Sequence, residues 1–397
     1  MAREGLYLGT NEGGAELVLE GKELTTHAFC VGMTGSGKTG LCTVLIEEAL
    51  GRGVPVIAVD PKGDLGNLLL ALDPGTPAEF EPWVDPEQAR REGKTVAQLA
   101  SEAASRAGQG LAESGLSRDQ LLAWRQAHEP RVYTPGSSVG LPVNVIGSMA
   151  PPQSATAEDI ADGVDTLVRA ILGLLRIHAD PVRSREYILL FRLIEGAWRE
   201  GRTVELADLV RLTAEPPFPT VGALPLETFY PKRERNDLVL SLNGLLASPP
   251  FEAWRTGEPL DIGAMLRAPD GRPRLSIFSI AHLGDEERLF ATALLLERMK
   301  AWMRRQPGSG DLRALLYIDE IFGYFPPTQN PPTKRPLLTL LKQARAFGLG
   351  VVLATQNPVD LDYKGLANIG TWFVGRLQTD QDKNRIRDGL AGAAEAA

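Results

Sequence analysis

Gly32-Met33-Thr34-Gly35-Ser36-Gly37-Lys38-Thr39 is the stretch whose reading decides the fold. It fits G-x-x-x-x-G-K-[ST], a loop whose glycines let backbone N–H groups fold around phosphates. Residues 27–31 before it are apolar enough for a buried strand. Residues 41–50 after it place apolar side chains at helical spacing. The loop therefore runs from a strand into a helix, whose N-terminus adds partial positive charge. Gly32, Met33, Thr34, Gly35, Ser36, Gly37, Lys38, Thr39 and Gly40 are the nucleotide-contact candidates. Lys38 reaches the β- and γ-phosphates of a bound nucleotide, and the Thr39 hydroxyl ligates Mg²⁺.

The rest of the composition is that of an ordinary globular chain. Its 397 residues are 43% hydrophobic and 23% charged. Cys30 and Cys42 flank the loop on elements expected to be buried, and read as small core residues in a reducing, cytoplasmic compartment. The four histidines show no ligand spacing, and no run approaches the length of a membrane span. A net charge of −8 argues against a protein that coats nucleic acid over its whole surface. Contact with DNA would need a local surface, such as the lumen of a ring.

Outward from the loop, residues 1–25 read as a β-hairpin extension, with Gly13-Gly14 at the turn. Residues 54–60 are a second buried strand, which makes strand, helix and strand a βαβ unit and the sheet parallel. Surface helices are expected near 95–106 and 117–127, and an edge strand at 131–134. From 155 to 256 the spacing turns helical, as in Val164, Leu167, Val168, Ile171, Leu172 and Leu175. This block is an α-helical insertion between two sheet-forming parts, 26–150 and 270–390. Strand 275–280 resumes the sheet, and a helix follows over about 285–305. A strand over 315–320 ends in two acids. Pro336 marks the first turn of the next helix and Gly348 its end. Strands 350–354 and 371–374 follow, and residues 391–397 are an Ala-rich tail on a chain that reads as a possible fragment.

An apolar strand ending in Asp319-Glu320, downstream of a phosphate loop, has a direct use. Asp319 holds Mg²⁺ and Glu320 deprotonates or orients the attacking water. Asp60 and Asp64 are the next candidates for that base. Gln356, just past the following strand, is placed to sense the γ-phosphate; otherwise it is a satisfied loop amide. Arg345 is a candidate to stabilise the transferring phosphoryl group from a neighbouring subunit; otherwise it is a helix-end cation. Arg376 is a second such candidate. Lys334 and Arg335, with Tyr324 and Phe325, are candidates for contact with DNA in a pore.

Gly32 to Thr39, Asp60-Pro61-Lys62-Gly63-Asp64, Ile318-Asp319-Glu320, Gln343-Ala344-Arg345 and Ala354-Thr355-Gln356 together resemble the HerA/FtsK superfamily of P-loop ATPases. Within it the chain looks most like HerA-like bacterial proteins, over roughly 26–72 and 274–390. The resemblance implies a RecA-like α/β core with a mostly parallel sheet and a helical insertion. It implies ATP and Mg²⁺ as cofactors and a hexameric ring with DNA in its pore. It also implies an arginine finger at Arg345 and a nuclease or effector partner. HerA relatives begin with a β-barrel, whereas about 25 residues precede the core strand here. The basic residues near the loop are lysines such as Lys22, so no second arginine finger carries over. A membrane-recruited ATPase of the conjugation or secretion kind is the first alternative. A slow nucleotide-dependent switch or scaffold is the second.

Overall fold

The computed structural model describes residues 5–145, 149–151, 156–178, 180–357, 361–377, 379–384 and 386–387. The tail 391–397 lies outside the described residues. Nine strands and five helices position the site: β1 (Leu6–Thr10), β2 (Glu16–Leu19), β3 (Ala28–Val31), α1 (Lys38–Gly51), β4 (Val56–Asp60), β5 (Glu129–Tyr133), α2 (Ala157–Leu174), α3 (Arg185–Arg199), β6 (Arg274–Ser279), α4 (Asp285–Arg304), β7 (Ser309–Ile318), α5 (Lys334–Gln343), β8 (Phe347–Thr355) and β9 (Thr371–Val374).

Seven of these strands form one sheet in the order β9-β3-β8-β7-β4-β6-β5, with every pairing parallel. Parallel strands are covered on both faces, so their residues are apolar without interruption. β3 and β4 are buried at every position. The period of two still sorts the side chains. Phe29, Val31, Ile57, Val59, Leu316, Ile318, Val351 and Leu353 face one core. Ala28, Cys30, Val56, Ala58, Leu315, Tyr317, Val352 and Ala354 face the other, with Cys42, Leu45, Ile46 and Ala49 of α1.

The first face carries the helical block. Its Val164, Leu167, Leu190, Ile194, Leu209 and Leu238 share one apolar cluster with the sheet and with Phe290 and Leu295 of α4. The block is therefore packed on the sheet rather than around a core of its own. Thr156 caps α2 by accepting from Asp159 N–H, and Ser184 caps α3 by accepting from Tyr187 N–H. The hairpin of β1 and β2 packs beside α1, where Tyr7 N–H donates to Glu48 Oε2 at 2.9 Å.

Three differences from the sequence reading have a clear position in the chain: a longer helix, an earlier strand start and a misplaced helix end. The helix expected at 95–106 continues to Glu113, because neither Gly108 nor Gly110 outweighs its alanine-rich turns. β7 begins at Ser309, six residues early. Gly348 does not end α5, which stops at Gln343; it lies inside β8 at φ 73°, where a Cβ would strike the Asp311 carbonyl.

Candidate functional site

The parallel sheet brings the C-terminal ends of β3, β8, β7 and β4 to one edge, where ligands bind in open α/β folds. β3 leads into the phosphate loop. Gly35 and Gly37 take positive φ, 77° and 83°, which aims the loop amides inward, and α1 starts at Lys38. A side chain on Gly32 would collide with Ser36 Oγ and crowd the backbone of Gly375. The loop is fastened from β9 as well: Met33 N–H donates to the Arg376 carbonyl at 2.9 Å. Thr39 and Gly40 are exposed in the first turn of α1.

Lys38 is buried, and its Nζ lies 3.5 Å from Asp319 Oδ1. Neither Lys38 Nζ nor Ser36 Oγ finds a hydrogen-bond partner among the described residues. A buried ammonium that has an ion pair but no hydrogen bond is costly unless something else accepts from its N–H groups. A phosphate oxygen in the cradle of loop amides does so, which is why these residues fit a nucleotide. Asp319, also buried, accepts from the Tyr317 hydroxyl at 3.0 Å. Burial pushes the Tyr317 hydroxyl well above its ordinary value and keeps it a donor.

β8 lies between β3 and β7, and so places Gln356 between the loop and the acid pair. Thr34 Oγ1 donates to Gln356 Oε1 at 2.9 Å, while Gln356 N–H donates to Glu320 Oε1 at 3.2 Å. The same oxygen accepts from Thr355 Oγ1 at 2.8 Å. Glu320 stands at φ 44°, a left-handed backbone rare for a glutamate, and this kind of strain collects at functional sites.

Sequence reading did not single out Lys62. Its Nζ donates to Glu320 Oε2 at 2.9 Å and lies 3.7 Å from Asp319 Oδ2. Burial raises the Glu320 pKa, but the bonds from Lys62, Thr355 and Gln356 outweigh it and hold the carboxyl below its ordinary value. For Lys62, burial lowers the pKa, and the bond to Glu320 with the charge of Asp319 reverses that, so it is raised. Only the stretch Asp60 to Asp64 hinted at this residue, and that stretch named no role for it. Asp60 is no alternative base. Its buried carboxylate accepts from the N–H groups of Lys62, Gly63 and Leu65 at 3.1, 2.7 and 3.0 Å, and is spent on that turn.

Two expectations about arginines resolve differently. Arg376 sits at the loop of its own chain through its backbone, with its side chain exposed. Arg345 lies in the turn Ala344–Ala346, at the opposite end of β8 from Gln356. At about 3.3 Å per residue the strand separates it from its own site by roughly 25 Å. It lines an exposed cleft with Lys22, Glu23, Thr26, Lys342 and Phe347.

Three of the four pore candidates, Lys334, Tyr324 and Phe325, are buried. Lys334 is buried, donates to the carbonyls of Pro326 and Pro327, and pairs with Asp362 at 2.9 Å. Arg335 pairs with Asp162 and Asp165 of α2 at 2.7 and 3.4 Å. Tyr324 and Phe325 belong to the core. Together these contacts fasten the proline-rich loop and α5 to the rest of the fold, with Arg335 alone of the four still exposed.

The parallel sheet, the loop and the acid pair on the strand beyond β8 define a P-loop ATPase with a RecA-like α/β core. More closely, residues 6–104 match the family model described as Helicase HerA, central domain, and over that stretch the chain is similar to P-loop ATPases of the HerA type. Among solved structures it is similar to VirB4 of Thermoanaerobacter pseudethanolicus, at 14% identity and TM-score 0.56, over 98% of this chain and 89% of that one. At that identity the likeness is one of fold. Looser similarity extends to the unbound bacterial conjugative coupling protein TrwBdeltaN70 (14% identity, TM-score 0.46, 99% of this chain and 72% of that one). The plasmid coupling protein TrwB with the ATP analogue ADPNP is comparable (14%, 0.45, 99% and 73%). Comparison with curated proteins gives no match. Among the described residues, no helix is long and apolar enough to cross a membrane.

Proposed function

We propose that the chain hydrolyses Mg²⁺-bound ATP at the junction between neighbouring copies in a ring, and uses the cycle to move or unwind DNA. The observation that carries the ATPase chemistry is the buried Lys38 ammonium, 3.5 Å from Asp319 and without a hydrogen-bond partner among the described residues. Lys38 binds the β- and γ-phosphate oxygens, and the loop amides hold the rest of the chain of phosphates. Thr39 and Asp319 are the residues that would hold Mg²⁺, which when bound neutralises charge on the phosphates. Glu320 takes a proton from the attacking water, and Gln356, tied to both Thr34 and Glu320, orients that water.

Arg345 supports the ring. It is exposed and makes no ion pair among the described residues, and its own site lies at the other end of β8. A guanidinium so placed serves a phosphoryl group only on a second copy. The HerA central-domain match supports DNA as the substrate moved. A second reading, a coupling ATPase of the secretion or conjugation kind, draws on the VirB4-like fold across 98% of the chain. The test is ATP turnover with and without DNA, on samples whose mass in solution is measured. DNA stimulation in a ring-sized species supports the motor. A DNA-independent rate in a monomer refutes it.

A further inference from the structure

The Lys62 ammonium contacts both acids of the site from the turn after β4. Asp319 is flanked on its two oxygens, with Lys38 Nζ 3.5 Å from Oδ1 and Lys62 Nζ 3.7 Å from Oδ2. Glu320 Oε2 completes the Lys62 contacts at 2.9 Å. The backbone under Lys62 is fixed, because Asp60 accepts from the turn amides of Lys62, Gly63 and Leu65. The side chain above it is not confined: it is 31% exposed, against 5% for Asp319. A lysine carries its charge on a flexible four-carbon stem, so this one can leave the acids without disturbing the turn. Glu320 keeps Thr355 Oγ1 and Gln356 N–H when it does.

We propose that Lys62 is a resident counter-cation, which neutralises Asp319 and Glu320 until a divalent cation arrives with the nucleotide and displaces it. The proposal rests on the reading of the edge as a Mg²⁺-ATP site. It makes Lys62 act in opposite directions on two equilibria. Nucleotide without metal meets two ammoniums, Lys38 and Lys62, and binds better for the second. Metal-bearing nucleotide competes with Lys62 for Asp319 and binds worse for it. A lysine that only braced the turn would move both equilibria the same way.

The experiment measures binding rather than turnover. A fluorescent ADP analogue is titrated into the full chain in EDTA, and magnesium is titrated at fixed nucleotide, for the wild type, Lys62→Met and Lys62→Arg. Lys62→Met keeps the stem and removes the charge. It is expected to weaken binding in EDTA about fivefold and to lower the magnesium needed for half-saturation about fivefold, the scale of one partly screened ion pair. Lys62→Arg keeps the charge and holds EDTA binding near wild type. Weakening of both equilibria together in Lys62→Met, or no change in either, overturns the proposal. Lys38→Ala serves as the control: if it binds like wild type in both conditions, the reading of the site fails rather than the role of Lys62.

Discussion

His27 gives the protein an acid limit that can be worked out from the structure. The residue precedes β3, is buried, and uses both ring nitrogens. Val351 N–H donates to Nδ1 at 3.2 Å, so Nε2 carries the proton and donates to the Leu341 carbonyl at 3.1 Å. The ring thus ties the entry to β3 to the end of α5 and the middle of β8 as a neutral imidazole. A second proton would set Nδ1–H against Val351 N–H. Burial is the main cause that lowers its pKa, from 6.5 to about 4. The direction of the pH effect follows. Between those values the unfolded chain binds a proton and the folded chain does not, so stability falls as pH falls. At about 1.36 kcal/mol per unit, the loss from pH 7.5 to pH 4.5 is about 2.5 kcal/mol. The assay is the urea midpoint at both pH values for the wild type and His27→Gln. The variant starts less stable at pH 7.5, but the wild type must lose about 2.5 kcal/mol more than the variant on acidification. Equal losses in the two proteins would refute the neutral, doubly bonded ring.

Lys38→Ala is expected to abolish hydrolysis and weaken nucleotide binding, because it removes the charge on the β/γ-phosphates; wild-type turnover would refute the site. Glu320→Gln is expected to bind Mg²⁺-ATP while turnover falls about 10²-fold or more, the scale of a lost general base. The new amide also faces the Lys62 donor, so normal turnover in this variant would place the base elsewhere. Arg345→Ala is expected to bind ATP almost normally and hydrolyse it poorly at any concentration. Mixing it with Glu320→Gln is expected to restore part of the rate, since a mixed junction can pair an intact Glu320 with an intact Arg345. A concentration-independent wild-type rate with no rescue in the mixture leaves Arg345 a turn-end cation, worth at most about 1 kcal/mol of stability.

The phosphate loop was legible in the chain because its chemistry is local. Positive φ at Gly35 and Gly37 and the start of α1 at Lys38 all fall within a few residues of one another. Asp319, Glu320 and Gln356 were legible for a related reason: each stands at the end of an apolar run, and parallel strands deliver their ends to one edge. What two strands share across the sheet could not be read this way. Lys62 and Glu320 are 258 positions apart, and only the adjacency of β4 and β7 makes them a pair at 2.9 Å. Ion pairing is equally non-local. Lys334 and Arg335 carry the charges of a DNA contact, yet Asp362 approaches the buried Lys334, and Asp162 and Asp165 the exposed Arg335, from elsewhere in the chain. Arg345 shows the division most plainly. Its residue type suggested phosphate chemistry, but the length of β8 keeps it from the site of its own chain, because a rigid extended strand holds its two ends apart.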